Sequence, residues 1–293
     1  MRIVVTGRTG QVVQALVERT ADRGDTVVCP IGRPEFDLAR PAPWREMLAA
    51  LRPDVIVSAA AYTAVDRAES EPALAHRVNA DGPRALAAEA AALGVPVIQI
   101  STDYVFNGRT AEPWREDDRP DPISVYGASK LAGETAVREA DPGNIVLRVG
   151  WIYSPFGTNF VRTMLRLAGE RDVLRVVGDQ MGGPTSAFDI ADGILKVAHN
   201  ILAEPGRHDL RGVFHMGPAG TASWADLARE ICAWLAAHRG RRISVEEITS
   251  ADYPTAARRP LDSRLDSGRL AHIHHHRLPD WRASLAPVLE RLA

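Results

Sequence analysis

Between Met1 and Gly150, short apolar runs alternate with stretches of helical character, and that alternation leaves few folds open. Ile3-Val4-Val5, Thr26-Val27-Val28-Cys29, Asp54 to Ala60, Val97-Ile98-Gln99-Ile100-Ser101 and Asn144 to Val149 read as strands. Helical patterns fall between them: from a glycine turn to about Arg23, from Trp44 to Leu51, from Leu74 to an Ala-rich end at Leu93, and from about Tyr126 to Arg138. A strand that is apolar along its whole length needs cover on both faces, and helices between parallel strands supply it. Residues 1–150 are therefore predicted to form a Rossmann-type, doubly wound α/β domain with a parallel sheet.

The pattern loosens after about Trp151. Helix is expected over Asn159–Gly169, Ser186–Ala203 and Ser223–Ala237, with strand character at Leu174–Val177, Val213–His215 and Ile243–Ile248. No repeat or low-complexity linker separates the halves. Residues 151–293 are expected mainly to build a smaller, substrate-binding lobe, with some segments returning to the sheet.

Composition removes several classes of function. A net charge of −2 offers no general attraction to nucleic acid or anionic membrane. Cys29 and Cys232 are the only cysteines, which excludes a disulfide scaffold or a Cys-rich zinc site. No apolar run approaches the roughly 18 residues of a membrane span, and the N-terminus lacks the pattern of a signal peptide, so a reducing cytoplasm is the expected setting. His272-Ile273-His274-His275-His276 reads as surface histidine and Arg239-Gly240-Arg241-Arg242 as a solvated loop; no metal is expected.

Three places carry chemistry. Gly7-Arg8-Thr9-Gly10-Gln11-Val12 follows the first strand, where glycines let a backbone approach a pyrophosphate lying on helix N–H groups. Val13 stands where a third glycine is usual, so the packing of helix on sheet must differ there. The second strand ends without a carboxylate, and Arg33 is the nearest charge, which favours the 2′-phosphate of NADPH, with NADH as the alternative. Asp37-Leu38 could border the adenine, and Ala59-Ala60-Ala61 is small enough for a cofactor to cross.

Tyr126 and Lys130 lie four apart on one helix face. A phenol titrates near 10 and needs help to act at neutral pH; a nearby ammonium gives it, and the same Lys can reach a nicotinamide ribose. Of 35 basic residues only Lys130 and Lys196 are Lys, so a Lys here invites a geometric reason. Thr102, at the end of the fourth strand, could bond a substrate carbonyl and the phenol together.

These residues resemble the extended short-chain dehydrogenase/reductases and, more narrowly, the dTDP-4-dehydrorhamnose reductases. The likeness rests on Gly7-x-x-Gly10-Gln11, the Asp54-to-Glu71 stretch with Asn79 beyond it, Ser101 to Gly108 and Tyr126 to Glu134. It continues through Arg148 to Tyr153, Asn159-Phe160, Asp179-Gln180, Gly183-Pro184-Thr185, Arg259 to Asp266 and Leu278 to Arg282. The resemblance implies NADPH-dependent reduction of a 4-keto nucleotide sugar, with Tyr126 as acid, Lys130 assisting it and holding the ribose, and Thr102 orienting the carbonyl. It places residues 8–12, 37–38 and 59–61 at the cofactor, and Asp103 and Trp151, with Asn159, at the substrate. It implies a monomer or homodimer whose only partners are small molecules. Asp262 replaces a family Asn, and Ala15 stands where some members carry a Glu that helps bind magnesium, so that metal is not carried over. A reductase of a sister sugar, or a homologue that keeps the cofactor without turnover, stays open at this level.

Overall fold

The computed structural model describes residues 1–292. Its first half contains β1 (Arg2–Thr6), α1 (Gln11–Thr20), β2 (Val27–Ile31), α2 (Arg45–Leu51), β3 (Val55–Ser58), α3 (Val65–Ala68), α4 (Pro72–His76), α5 (Gly82–Ala92), β4 (Val97–Thr102), α6 (Val125–Ala140) and β5 (Ile145–Val149). Its second half adds β6 (Ile152–Tyr153), α7 (Phe160–Glu170), β7 (Val173–Val177), β8 (Met181–Gly182), β9 (Thr185–Ser186), α8 (Ala187–Ala203), β10 (Gly212–His215), β11 (Ala222–Ser223), α9 (Trp224–Arg239), β12 (Ser244–Ile248), α10 (Gly268–Ile273) and α11 (Trp281–Leu292).

Six strands form one sheet in the order β10-β5-β4-β3-β1-β2, every neighbour parallel. Strand order reverses between β1 and β3, the crevice where doubly wound sheets take ligands. Side chains alternate between the two faces as the two-residue strand period requires. Ile3, Val5, Val55 and Val57 pack with α1 and α8, while Val4 and Ile56 pack with α2, α5 and Val137 of α6. The residues after 150 thus divide. β10, α8 and Leu270 of α10 complete the sheet and its cover, whereas α7, β7, α9 and α11 build a second core around Tyr153 and Trp281.

Three details depart from the expectations. The helix anticipated from Leu74 to Leu93 is interrupted by a π turn at Arg77–Asp81, a feature that re-aims backbone groups and often marks functional sites. Gly133 of α6 shows what it accommodates: a Cβ there would lie 2.0 Å from the Asn79 carbonyl oxygen. The chain from Gly268 onward forms two helices that periodicity alone did not reveal. His274 is not a surface residue but is fully buried, its ring edge-on to Phe214 at 4.6 Å. Among the described residues, no helix is long and apolar enough to cross a membrane, and no His, Cys, Asp and Glu gather as a metal site.

Candidate active site

The ends of β1, β3, β4 and β5 meet at the crevice, and each delivers a piece of the site. After β1, Gly7 adopts φ +103° and its N–H donates to Ile31 O at 2.6 Å. A side chain at Gly7 would be strained at that φ and would press on Val13 Cγ2 at 3.3 Å. That contact explains Val13: it is 2% exposed, belongs to the core under α1, and its methyl fills the space against Gly7. Gly10 begins α1 with no side-chain cap and no acidic residue in the first turn, leaving helix N–H groups free for an anion. Thr6 Oγ1 accepts from both Ala59 N and Ala60 N, at 3.0 and 2.9 Å, so the Ala59-Ala60-Ala61 segment is pinned beside the glycine turn. The cradle fits a dinucleotide.

The end of that path beside Arg33 is open to solvent. Arg33 is exposed on the rim of a cavity of about 340 Å³ shared with Asp37, Arg40 and the buried Trp44. Arg8 Nη2 lies 2.8 Å from Glu35 Oε2. Asp37 is half-buried and accepts from Ala39 N, while the Leu38 side chain lies in the core, packed where Gly82 leaves room.

At the other end, Ser124 caps α6 by accepting from Gly127 N. Gly127 lets the helix touch the turn after β4, since a Cβ would lie 2.2 Å from Tyr104 O. This contact sets Tyr126 beside Thr102. Burial pushes the Tyr126 phenol up to about 12; the Thr102 hydroxyl favours its anion and the Asp103 charge opposes it. Thr102 Oγ1 also donates to Asp103 Oδ1 at 3.0 Å and accepts from Tyr104 N at 3.2 Å, so it caps its turn. Asp103 is 2% exposed, its Oδ2 has no hydrogen-bond partner, and burial pushes its carboxyl up to about 6. Gly150 permits this placement, because a Cβ would lie 2.6 Å from that oxygen.

Lys130 does not lean on the phenol. Its Nζ donates to Ile100 O at 2.6 Å, and burial lowers it to about 8 against the favourable charge of Glu134. Trp151 takes a left-handed φ of +48° and stacks on Trp224 with ring centres 3.5 Å apart and planes 2° apart; Trp224 Nε1 donates to Gln180 Oε1. Asn159 caps α7, and its amide donates to Gln11 Oε1 at the start of α1 and to Ser154 O and Phe156 O. Asp262 holds Arg264 through both carboxylate oxygens, so its extra charge is matched locally. Ala15 is fully buried in the core.

Sequence reasoning missed Trp224 and the Asn79 bridge. The Asn79 amide accepts from Tyr62 N and donates to Ser129 Oγ at 2.9 Å, joining the loop after β3 to α6. Asn79 stood among the residues that carry the family resemblance, and as a polar residue in an Ala-rich helical stretch, but neither signal names its partners. Nothing in the spacing links Trp151 with Trp224.

Comparison with known proteins agrees with this geometry. A family model described as "RmlD substrate binding domain" matches residues 1–293. The chain is 49% identical to the dTDP-4-dehydrorhamnose reductase of Sinorhizobium fredii over 97% of its own length and 95% of that protein. It is 38% identical to the enzyme of the same name from Escherichia coli K12, covering 100% and 98%. Among solved structures, the dTDP-4-dehydrorhamnose reductase of Bacillus anthracis in complex with NADP superposes with a TM-score of 0.90 at 32% identity, covering 99% and 98%. By these measures the chain belongs to the RmlD family of dTDP-4-dehydrorhamnose reductases.

Proposed function

We propose that this protein reduces the 4-keto group of dTDP-4-dehydrorhamnose, with Tyr126 as proton donor and NADPH as reductant. The observation that carries the reading is the meeting of Tyr126 and Thr102 at the end of β4, in the same crevice as the uncapped glycine turn. NADPH bound along that path supplies the hydride. Gly7, Gly10 and the first N–H groups of α1 hold its pyrophosphate, with Arg8, Thr9, Gln11 and Val12 shaping the turn. Arg33 and Arg8 face the 2′-phosphate beside Asp37 and Leu38, and Ala59 to Ala61 form the floor. Thr102 Oγ1 turns its single proton from Asp103 Oδ1 to the ketone oxygen, and the Tyr126 hydroxyl gives that oxygen a proton as charge develops there. A phenol held neutral up to about pH 12 carries that proton at pH 7, and a half-buried donor aimed at a developing oxyanion is an arrangement that lowers such barriers. Lys130 fixes the ribose. Asp103 and Trp151 bound the sugar, and the lobe within 151–293 closes over it to exclude water.

Purified protein should consume dTDP-4-dehydrorhamnose and NADPH together and release a 4-hydroxy sugar identifiable by NMR. A panel containing other 4-keto nucleotide sugars and NADH tests the choice of both partners. No consumption of any 4-keto sugar with either cofactor would overturn the reading.

A further inference from the structure

One aromatic contact joins the end of the sheet to the second core. Val149 of β5 pairs in register with Thr102 of β4, and Gly150 packs on the Asp103 carboxyl, so Trp151 leaves the sheet beside the turn after β4. Its backbone is left-handed, with φ +48°, a conformation that a bulky residue keeps only where its surroundings over-determine it. Three contacts do so. Trp151 O accepts from Thr185 N at 3.1 Å. The Trp224 indole lies flat on the Trp151 indole, ring centres 3.5 Å apart and planes 2° apart. Gly182 meets the same ring, since a Cβ there would lie 2.4 Å from Trp151 Cε2. The two indoles leave no room between them, so Gly182 approaches from outside the stack.

Gly182 and Trp224 arrive on one ladder. β8 and β11 pair antiparallel, with Ala222 opposite Gly182 and Ser223 opposite Met181, and α9 begins at Trp224 under a capping box of Ser223 and Asp226. Trp224 is then tied to the second lobe. It packs against the core around Tyr153 and Trp281, and its ring centre lies 4.6 Å from that of Phe160. Its Nε1 donates to Gln180 Oε1 at 3.2 Å. Gln180 is buried; its Nε2 donates to Ser250 Oγ at 2.9 Å, and that hydroxyl donates on to Asp179 Oδ1 at 2.7 Å. Any apolar residue would serve for packing alone. A parallel indole whose N–H is also bonded fixes an orientation.

We propose that Trp224 is a positioning residue for the sugar: stacked on Trp151 and anchored through Gln180, it holds in one orientation the indole that walls the sugar subsite. The inference rests on the function proposed above, because Trp224 acts through the contact of Trp151 with the sugar. It gives the second core a part in the site without a group of its own on the ligand. A wall fixed before the sugar arrives spares the cost of ordering it on binding. Its loss should weaken substrate and transition state alike, raising KM and leaving kcat near wild type.

Trp224→Leu should raise KM for dTDP-4-dehydrorhamnose by about 2- to 12-fold, the scale of one aromatic pair, with kcat and NADPH affinity near wild type. Trp151→Leu should raise KM at least as much, and the double variant no more than Trp151→Leu alone, because Trp224 acts only through Trp151. Trp224→Phe, which keeps a ring in the stack, should recover part of the wild-type KM, and it carries the cycle if the leucine variant does not fold. Losses that add in the double variant, or a KM unmoved by the change at Trp224, overturn the proposal. Labelling with 5-fluorotryptophan gives a readout that needs no turnover: one ¹⁹F signal for each of six residues, that of Trp151 assigned by its absence from Trp151→Phe. In the wild type it should be single and narrow. Losing the neighbour's ring current would only move it in the Trp224 variant, whereas an indole set free should broaden or split it. A signal that stays single and narrow overturns the proposal. Broadening in a variant of a protein that reduces no 4-keto sugar would break the functional reading while leaving the hold of Trp224 on Trp151 intact.

Discussion

The two ends of the cofactor path are built in opposite ways. Around Tyr126, Asp103 and Lys130, charges are buried and held by backbone groups or by a buried ion pair. Around Arg8, Arg33 and Glu35, they stand in solvent, and the one ion pair there joins side chains 53% and 60% exposed. Low dielectric magnifies each interaction at the first end, and water and salt screen those at the second. On the proposed function, chemistry is fixed where water is excluded, and cofactor preference is set where it is not. Changes at the first end should therefore cost orders of magnitude, and changes at the second only a few-fold.

The sharpest break between the ends is expected for Tyr126→Phe. Loss of a positioned acid should lower kcat by about 10²- to 10⁴-fold, while NADPH affinity, measured by fluorescence titration, stays near wild type. Asp103→Asn comes next and reads stability. Its carboxyl is raised to about 6 by burial, so the folded state pays for ionising it as pH rises from the unfolded value through 6. The Asn variant should therefore gain up to about 2–3 kcal/mol at pH 7 to 8 and nothing below pH 4, visible as a Tm difference that vanishes in acid. A pH-independent difference would place the cost elsewhere.

How legible the site was follows the same division. The continuous strands and the glycine turn exposed the Rossmann sheet, because a parallel sheet writes its burial into every residue of a strand. Tyr126, Lys130 and Thr102 stood out as candidates, because reactive residue types at strand and helix ends are uncommon. Their electrostatics were not. Lys130 facing Ile100 O, Glu134 tied to Arg148, and Trp151 stacked on Trp224 are contacts between residues far apart in the chain, and no local period encodes them. Val13 was an anomaly in sequence and becomes a packing contact only once the conformation of Gly7 is known. The C-terminal helices were obscured by the histidine run, whose composition says surface although its fold buries His274.

At the open end, Arg33→Ala should weaken NADPH by about 2- to 5-fold and NADH hardly at all, the scale of one exposed charge interaction. Glu35→Gln should have the smallest effect: freeing Arg8 from its pair should improve NADPH binding by no more than about 2- to 3-fold, and the gain should shrink as salt is added. An effect of 100-fold from either change would mean that this end closes over the cofactor and is not open to solvent.

The account stands on a ketone reaching the phenol beside the nicotinamide. Transfer of deuterium from NADPH labelled at the nicotinamide C4 tests this most directly, with the sugar product read by NMR. The account predicts label at C4 of the sugar; label at any other carbon, or reduction without label from the cofactor, would contradict it.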